Sequence, residues 1–263
     1  MEYSEKLISA IDSAANHIIV GLDPDIEKIP EIFIKYKKPI SEFLSEIVRL
    51  TKDKVCGYKL NLAFFEYYGY DGLEALEHTL ECIPENLIKI ADAKRGDIGN
   101  SSMMYARTYF EKMNFDAVTA SPYMGIESIS PFLKFESKFV YLLGLTSNAG
   151  AEEIQKIKIG DEYLYQRIIS LFMSSGYKKN IGFVFGANHL SEIKSITSKY
   201  PELPLLIPGV GAQGGDRDEL IKSIQNKFYL INSSRGILYS ADKKCSKHEF
   251  EEKVTSTLNK LTE

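Results

Sequence analysis

Leu87-Ile88-Lys89-Ile90-Ala91-Asp92-Ala93-Lys94 is an apolar run that turns charged within its own length, and Arg95-Gly96-Asp97 carry the charge on beyond it. It is short and near-continuous, so it reads as a buried strand. Side chains alternate faces along a strand, which puts Asp92 and Lys94 on one side and Ala91 and Ala93 on the other. Working outward, seven further runs share this character. They cover residues 17–24, 55–61, 115–122, 139–146, 181–186, 205–210 and 228–233. Most are near-continuous and rich in β-branched or aromatic residues, as parallel strands covered on both faces are.

The stretches between them read as amphipathic helices. Over residues 40–50, Ile40, Phe43, Leu44, Ile47 and Leu50 recur at helical spacing. Strands alternating with helices imply βα units. Eight such units in 263 residues favour an α/β fold consisting of a single (β/α)8 barrel, expected to span residues 1–263 as one domain. A doubly wound open sheet is the alternative.

Composition narrows the function. Hydrophobic residues make up 44%, enough for a large core, and the net charge is −4 with a pI of about 5.7. A nucleic-acid surface, which needs clustered Lys and Arg, is not expected. The three cysteines, Cys56, Cys82 and Cys245, are widely spaced and form no CxxC or Cys/His cluster. Neither a zinc site nor a disulfide framework follows, and a reduced, cytoplasmic compartment fits. The N-terminal residues are charged and no apolar run reaches a membrane span, so no signal peptide and no membrane association are expected. The four histidines are scattered without metal-ligand spacing and read as structural or surface residues, so no metal is expected.

Polar residues gather where the runs end: Asp23, Lys59 and Asn61, Asp92 and Lys94, Ser121, Thr146 and Ser147, Gln213, Arg235. Active sites of such barrels occupy that face. Lys59 shares a strand face with Asn61, and Asp97 follows on a loop flanked by Gly96 and Gly99. Pointed into the barrel mouth, Lys59, Asp92, Lys94 and Asp97 form an alternating array in which each ion neutralises its neighbours. Lysines among carboxylates stay protonated, which makes them acids and electrostatic partners, not Schiff-base nucleophiles. Asp92 would press on a bound carboxylate. Two like charges about 4 Å apart repel by about 4 kcal/mol at an effective dielectric near 20. That repulsion ends when CO2 leaves, so the array suits decarboxylation followed by protonation of the carbon. A phosphate cradle is expected from Pro208-Gly209-Val210-Gly211-Ala212-Gln213-Gly214-Gly215-Asp216 and from Ser234-Arg235-Gly236, which follow the seventh and eighth runs.

With these residues in place, the chain resembles the orotidine 5′-phosphate decarboxylase family. Asp92-Ala93-Lys94-Arg95-Gly96-Asp97-Ile98-Gly99-Asn100-Ser101 is similar to that family's Asp-x-Lys-x-x-Asp-Ile-x-Asn-Thr signature. Leu22-Asp23, Tyr58-Lys59 and the two phosphate-end segments match in place and order. Thr146-Ser147-Asn148 is closest to the family's second, longer-chain branch. The resemblance implies conversion of orotidine 5′-monophosphate to uridine 5′-monophosphate and CO2 without cofactor. It makes Lys94 the proton donor to C6 and sets Asp92 beside the substrate carboxylate. Lys59 then bridges the carboxylates and the ribose, Asp23 takes a ribose hydroxyl, and Asn61 lines the substrate site. Ser147 reads the pyrimidine edge. Pro208, Gly211, Gln213, Ser234 and Arg235 form the phosphate end. It further implies a homodimer in which Asp97, Ile98 and Ser101 reach into the partner's site. Ser101 stands where the family usually has Thr, which keeps the hydroxyl and drops a methyl.

Two rival expectations are a magnesium-dependent enzyme resembling 3-keto-L-gulonate 6-phosphate decarboxylase, and a non-catalytic nucleotide-binding barrel. Gly99-Asn100-Ser101 and the glycine-rich segment favour the nucleotide enzyme, and a binder needs no buried proton donor.

Overall fold

A computed structural model describes residues 1–209 and 217–263. Its strands are β1 (Ile18–Leu22), β2 (Gly57–Asn61), β3 (Ile88–Arg95), β4 (Ala117–Ala120), β5 (Phe139–Leu145), β6 (Lys158–Ile159), β7 (Glu162–Tyr163), β8 (Ile181–Phe185), β9 (Leu205–Pro208) and β10 (Tyr229–Ser233). Eight of them close a (β/α)8 barrel in the order β1-β10-β9-β8-β5-β4-β3-β2. Each of these eight falls inside or within one residue of an expected run. Every residue of β1, β4, β8 and β10 is buried, which is why their sequences lack polar alternation.

β6 and β7 form an antiparallel pair outside the barrel that sequence reading did not find. Two residues per strand are too few for periodicity to register. The local signal was Gly160-Asp161, with Gly160 at φ 64°, a turn conformation that costs glycine least.

The chain divides into two compact units, one of Met1–Glu5 with Lys94–Ile231, the other of Lys6–Ala93 with Asn232–Glu263. In the second unit the expected helix runs Pro39–Thr51, with Pro at its first turn, where no backbone donor is lost. Ile40, Phe43, Leu44, Ile47 and Val48 are buried, whereas Leu50 is only half-buried. The final helix, Lys247–Thr262, opens with a reciprocal Ser246–Glu249 cap and buries Phe250, Val254 and Leu258. Phe250 meets Phe33 and Phe43 edge-on or tilted at centroid distances of 5.0 and 6.0 Å. In the first unit Tyr3 stacks on Phe139 and hydrogen-bonds Tyr141 through its hydroxyl at 2.9 Å. Among the described residues no helix is long and apolar enough to cross a membrane.

Candidate active site

In the unit of Lys6–Ala93 and Asn232–Glu263, strand register places the charges. Gly21 pairs with Lys59 across β1 and β2, and Asn61 with Asp92 across β2 and β3. Lys59 is 4% exposed. Its Nζ donates to Asp92 Oδ2 at 2.7 Å and lies 4.0 Å from Asp23 Oδ1. Burial alone would push the ammonium down, but the charges of Asp92 and Asp23 outweigh it and hold the Lys59 pKa above its ordinary value.

Asp23 is fixed from behind. The Ser234 hydroxyl, just past β10, donates to Asp23 Oδ2 at 2.5 Å and is 3.0 Å from the Gly21 carbonyl. The Tyr239 hydroxyl donates to the Asp23 carbonyl at 2.8 Å and lies 2.7 Å from the Asp25 N–H. What remains is Asp23 Oδ1, buried and with no hydrogen bond among the described residues; Asn232 Oδ1 is in the same position. A buried acceptor left open is uncommon and marks a place where a donor can be taken up. Arg235 follows, exposed, at the first turn of the short helix Arg235–Leu238.

In the unit of Met1–Glu5 and Lys94–Ile231, Lys94 stands at φ 49°, a left-handed conformation rare for a residue with a side chain. Its N–H donates to the Thr119 hydroxyl on β4 at 3.0 Å. Strict strand alternation, the basis of the expectation that Lys94 shares a face with Asp92, therefore ends at this residue. Local strain of this kind gathers at functional sites, where surrounding structure holds it. Arg95 lies with its guanidinium 5.3 Å from the Tyr105 ring centroid, and its carbonyl accepts the Ser121 N–H at 2.8 Å.

Asp97 Oδ1 accepts the N–H of Ile98 at 2.8 Å. Ile98 is 54% exposed and Ser101 lies exposed on the helix Gly99–Arg107. Ser147 is half-buried after β5. Pro208 ends β9, and its carbonyl accepts the Ala187 N–H at 3.1 Å. Gly211 and Gln213 lie outside the described residues.

Sequence reading thus found Asp23, Lys59, Asp92 and Ser234, which the second unit gathers into one cluster. It passed over Thr119 and Asn232, which lie inside strand runs where only burial distinguishes them. It also set His189 aside. That residue is 8% exposed and donates through Nε2 to the Thr146 carbonyl at 3.0 Å. The signal was position alone, four residues beyond the end of β8.

The sequence profile of the Orotidine 5'-phosphate decarboxylase / HUMPS family matches residues 16–249. The chain belongs to this family. Among curated relatives, an orotidine 5'-phosphate decarboxylase of Christiangramia forsetii is 43% identical over 244 residues, covering 91% of this chain and 90% of the relative. One of Dehalococcoides mccartyi is 42% identical over 247 residues at the same coverage. Among solved structures, the OMP decarboxylase of Leishmania donovani superposes with a TM-score of 0.84 at 28% identity, covering 99% of this chain and 96% of that one. The family match runs from before β1 to the first turn of the last helix, so the barrel strands and the charged cluster fall within it.

Proposed function

We propose a division of labour for the decarboxylation of orotidine 5′-monophosphate to uridine 5′-monophosphate, the reaction this chain catalyses in pyrimidine biosynthesis. Asp92 faces the substrate carboxylate. The C6–carboxylate bond breaks, CO2 leaves, and the electron pair left on C6 takes a proton from the Lys94 ammonium. Lys59 holds Asp92 in place and remains charged throughout, as its raised pKa allows. The observation that carries this reading is the Asp92–Lys59–Asp23 row with one acceptor, Asp23 Oδ1, that no described residue hydrogen-bonds. A ribose hydroxyl is a donor of the right kind for it. Asn61, in register with Asp92, lines the same end of the strands.

Ser147 reads the pyrimidine edge. Arg235, with no ion pair among the described residues, and Ser234 take the phosphate together with Pro208, Gly211 and Gln213. No metal or organic cofactor enters this scheme. The enzyme works as a cytoplasmic homodimer of single-domain chains, with Asp97, Ile98 and Ser101 completing the partner's site. Exposed Ile98, Met104 and Tyr105 are apolar surface suited to that contact.

Loss of orotidylate absorbance with purified protein tests the scheme. Lys94→Ala should lower turnover by at least about 10³-fold while UMP still binds; substantial residual turnover removes Lys94 as the acid. Activity should survive EDTA, and its loss would favour the magnesium reading. Absence of turnover in wild type despite UMP binding would leave a binding protein. Mixing Asp97→Ala with Lys94→Ala should restore activity through hybrid dimers, and no recovery after verified subunit exchange would count against shared sites.

A further inference from the structure

The excursion between β5 and the helix Leu164–Met173 is tied back at one residue. Gln155, half-buried at the end of the helix Ala151–Ile154, grips Thr146 with both ends of its amide. Its Oε1 accepts the Thr146 N–H at 2.7 Å, and its Nε2 donates to the Thr146 hydroxyl at 2.8 Å. That hydroxyl passes its own proton to Asn148 Oδ1 at 2.6 Å. The Thr146 carbonyl accepts from His189 Nε2 at 3.0 Å, which fixes the proton on that ring nitrogen. Every polar atom of Thr146 is therefore engaged. The Gln155 backbone joins in, because its carbonyl accepts the Tyr165 N–H at 3.0 Å. Beside it, Lys156 pairs with Glu152 at 2.7 Å and with Glu192 at 2.9 Å.

Ser147 comes next in the chain and is treated quite differently. A Cβ on Gly186 would stand 2.7 Å from its Cα and Cβ, so Ser147 packs against bare backbone. The Ser147 hydroxyl makes no hydrogen bond among the described residues. The Ser147 carbonyl accepts from Asn188 Nδ2 at 3.5 Å. A saturated residue thus holds in a fixed place one whose hydroxyl no described residue engages, the arrangement a recognition group needs if little ordering is to be left for the moment of binding.

We infer that Gln155 is a positioning residue for base recognition: by clamping Thr146 at its N–H and hydroxyl it aims the Ser147 hydroxyl at the pyrimidine edge. His189 completes the clamp at the carbonyl. This rests on the reading of Ser147 as the group that meets the base. Gln155 touches neither substrate nor the reacting carbon in this scheme. Its influence falls on the base end of the ligand and leaves the ribose phosphate end alone.

Inhibition by UMP and by ribose 5-phosphate separates the two ends. Gln155→Leu keeps the bulk and deletes both hydrogen bonds. It should raise the UMP inhibition constant and the KM for orotidylate about tenfold, with ribose 5-phosphate inhibition unchanged. Gln155→Glu, which still accepts the Thr146 N–H, should recover part of that loss. Thr146→Val, which deletes only the hydroxyl, should cost about threefold and serves if Gln155→Leu does not fold. Ser147→Ala should match Gln155→Leu, and the double variant should be no worse than either alone. Equal weakening of UMP and ribose 5-phosphate by Gln155→Leu, or no change in either, overturns the inference. If Ser147→Ala itself leaves UMP inhibition unchanged, the base-reading role of Ser147 falls and takes the inference with it. If Ser147→Ala behaves as expected and Gln155→Leu does not, only the clamp is refuted.

Discussion

Glu46 receives two cations at the surface, whereas Lys59 receives two carboxylates in the interior, and both clusters belong to the same compact unit. At Glu46 the Arg49 guanidinium and the Lys247 ammonium each approach Oε1 to 2.6 Å, and Arg49 reaches on to Glu251 at 2.7 Å. The two cationic side chains are 54% and 51% exposed. At Lys59 one carboxylate is at 2.7 Å and the other at 4.0 Å, with the lysine side chain 5% exposed. The surface cluster is closed on itself, and water screens whatever mismatch it has. The interior cluster centres on an ammonium that is itself buried, yet it leaves Asp23 Oδ1 without a hydrogen bond among the described residues. Charges that only hold helices together have no reason to be buried incompletely. The difference is what the proposed roles require: an interior cluster with an acceptor to offer a substrate hydroxyl, and a surface cluster that packs.

The sharpest way to break this contrast is to remove the interior cation. Lys59→Met fills the same volume and deprives Asp23 and Asp92 of the buried ammonium they share. Stability at pH 8 should fall by about 3–5 kcal/mol, the usual cost of orphaning a buried charge. Orotidylate turnover should fall to background. Acidification should recover part of the stability, because one carboxylate can then be neutral. A chemical-denaturation series across pH measures this; a loss below about 1 kcal/mol would show the cluster to be solvated and the contrast false.

The same contrast explains what could be read from the chain. Strands such as Ile18–Leu22 and Ile181–Phe185 were legible because full burial leaves an uninterrupted apolar run. Lys59 and Asp92 were legible because a charge inside such a run must be compensated. Lys94 was legible as a residue but not as a conformation. Nothing in Ala93-Lys94-Arg95 announces φ 49°, which accompanies a hydrogen bond from the Lys94 N–H to the Thr119 hydroxyl of another strand. The Gln155 clamp was hidden for a similar reason: it acts through amide and hydroxyl atoms nine residues apart in a segment with no apolar period. Hydrophobic periodicity reports what is buried, and polar positioning leaves little trace in it.

A smaller effect is expected from acid. Burial would raise the Glu46 carboxyl, but Arg49 and Lys247 outweigh it and hold the pKa down to about 2, against an ordinary 4.5. A carboxylate lowered on folding contributes stability that is complete above pH 4.5 and disappears as pH falls through about 2. Glu46→Gln should therefore unfold at a lower temperature than wild type at pH 6. The two melting curves should converge on acidification through that window. A gap that stays constant with pH would mean that packing, and not the ion pairs, accounts for it.

The smallest effect should come from Lys247→Ala. Arg49 still meets Glu46 through two nitrogens, with its Nε at 3.0 Å from Oε2, so the bidentate geometry survives. Lys247 is the first residue of the final helix, where a cation opposes the helix dipole, and its loss relieves that repulsion. Against this stand one exposed ion pair and a contact 5.2 Å above the Phe33 ring. The net cost should be under about 0.5 kcal/mol and should shrink further in 1 M salt. kcat and KM for orotidylate should not move. Should KM rise, the surface cluster would be coupled to the interior one, and the separation between packing charge and working charge would have to be redrawn around Lys247.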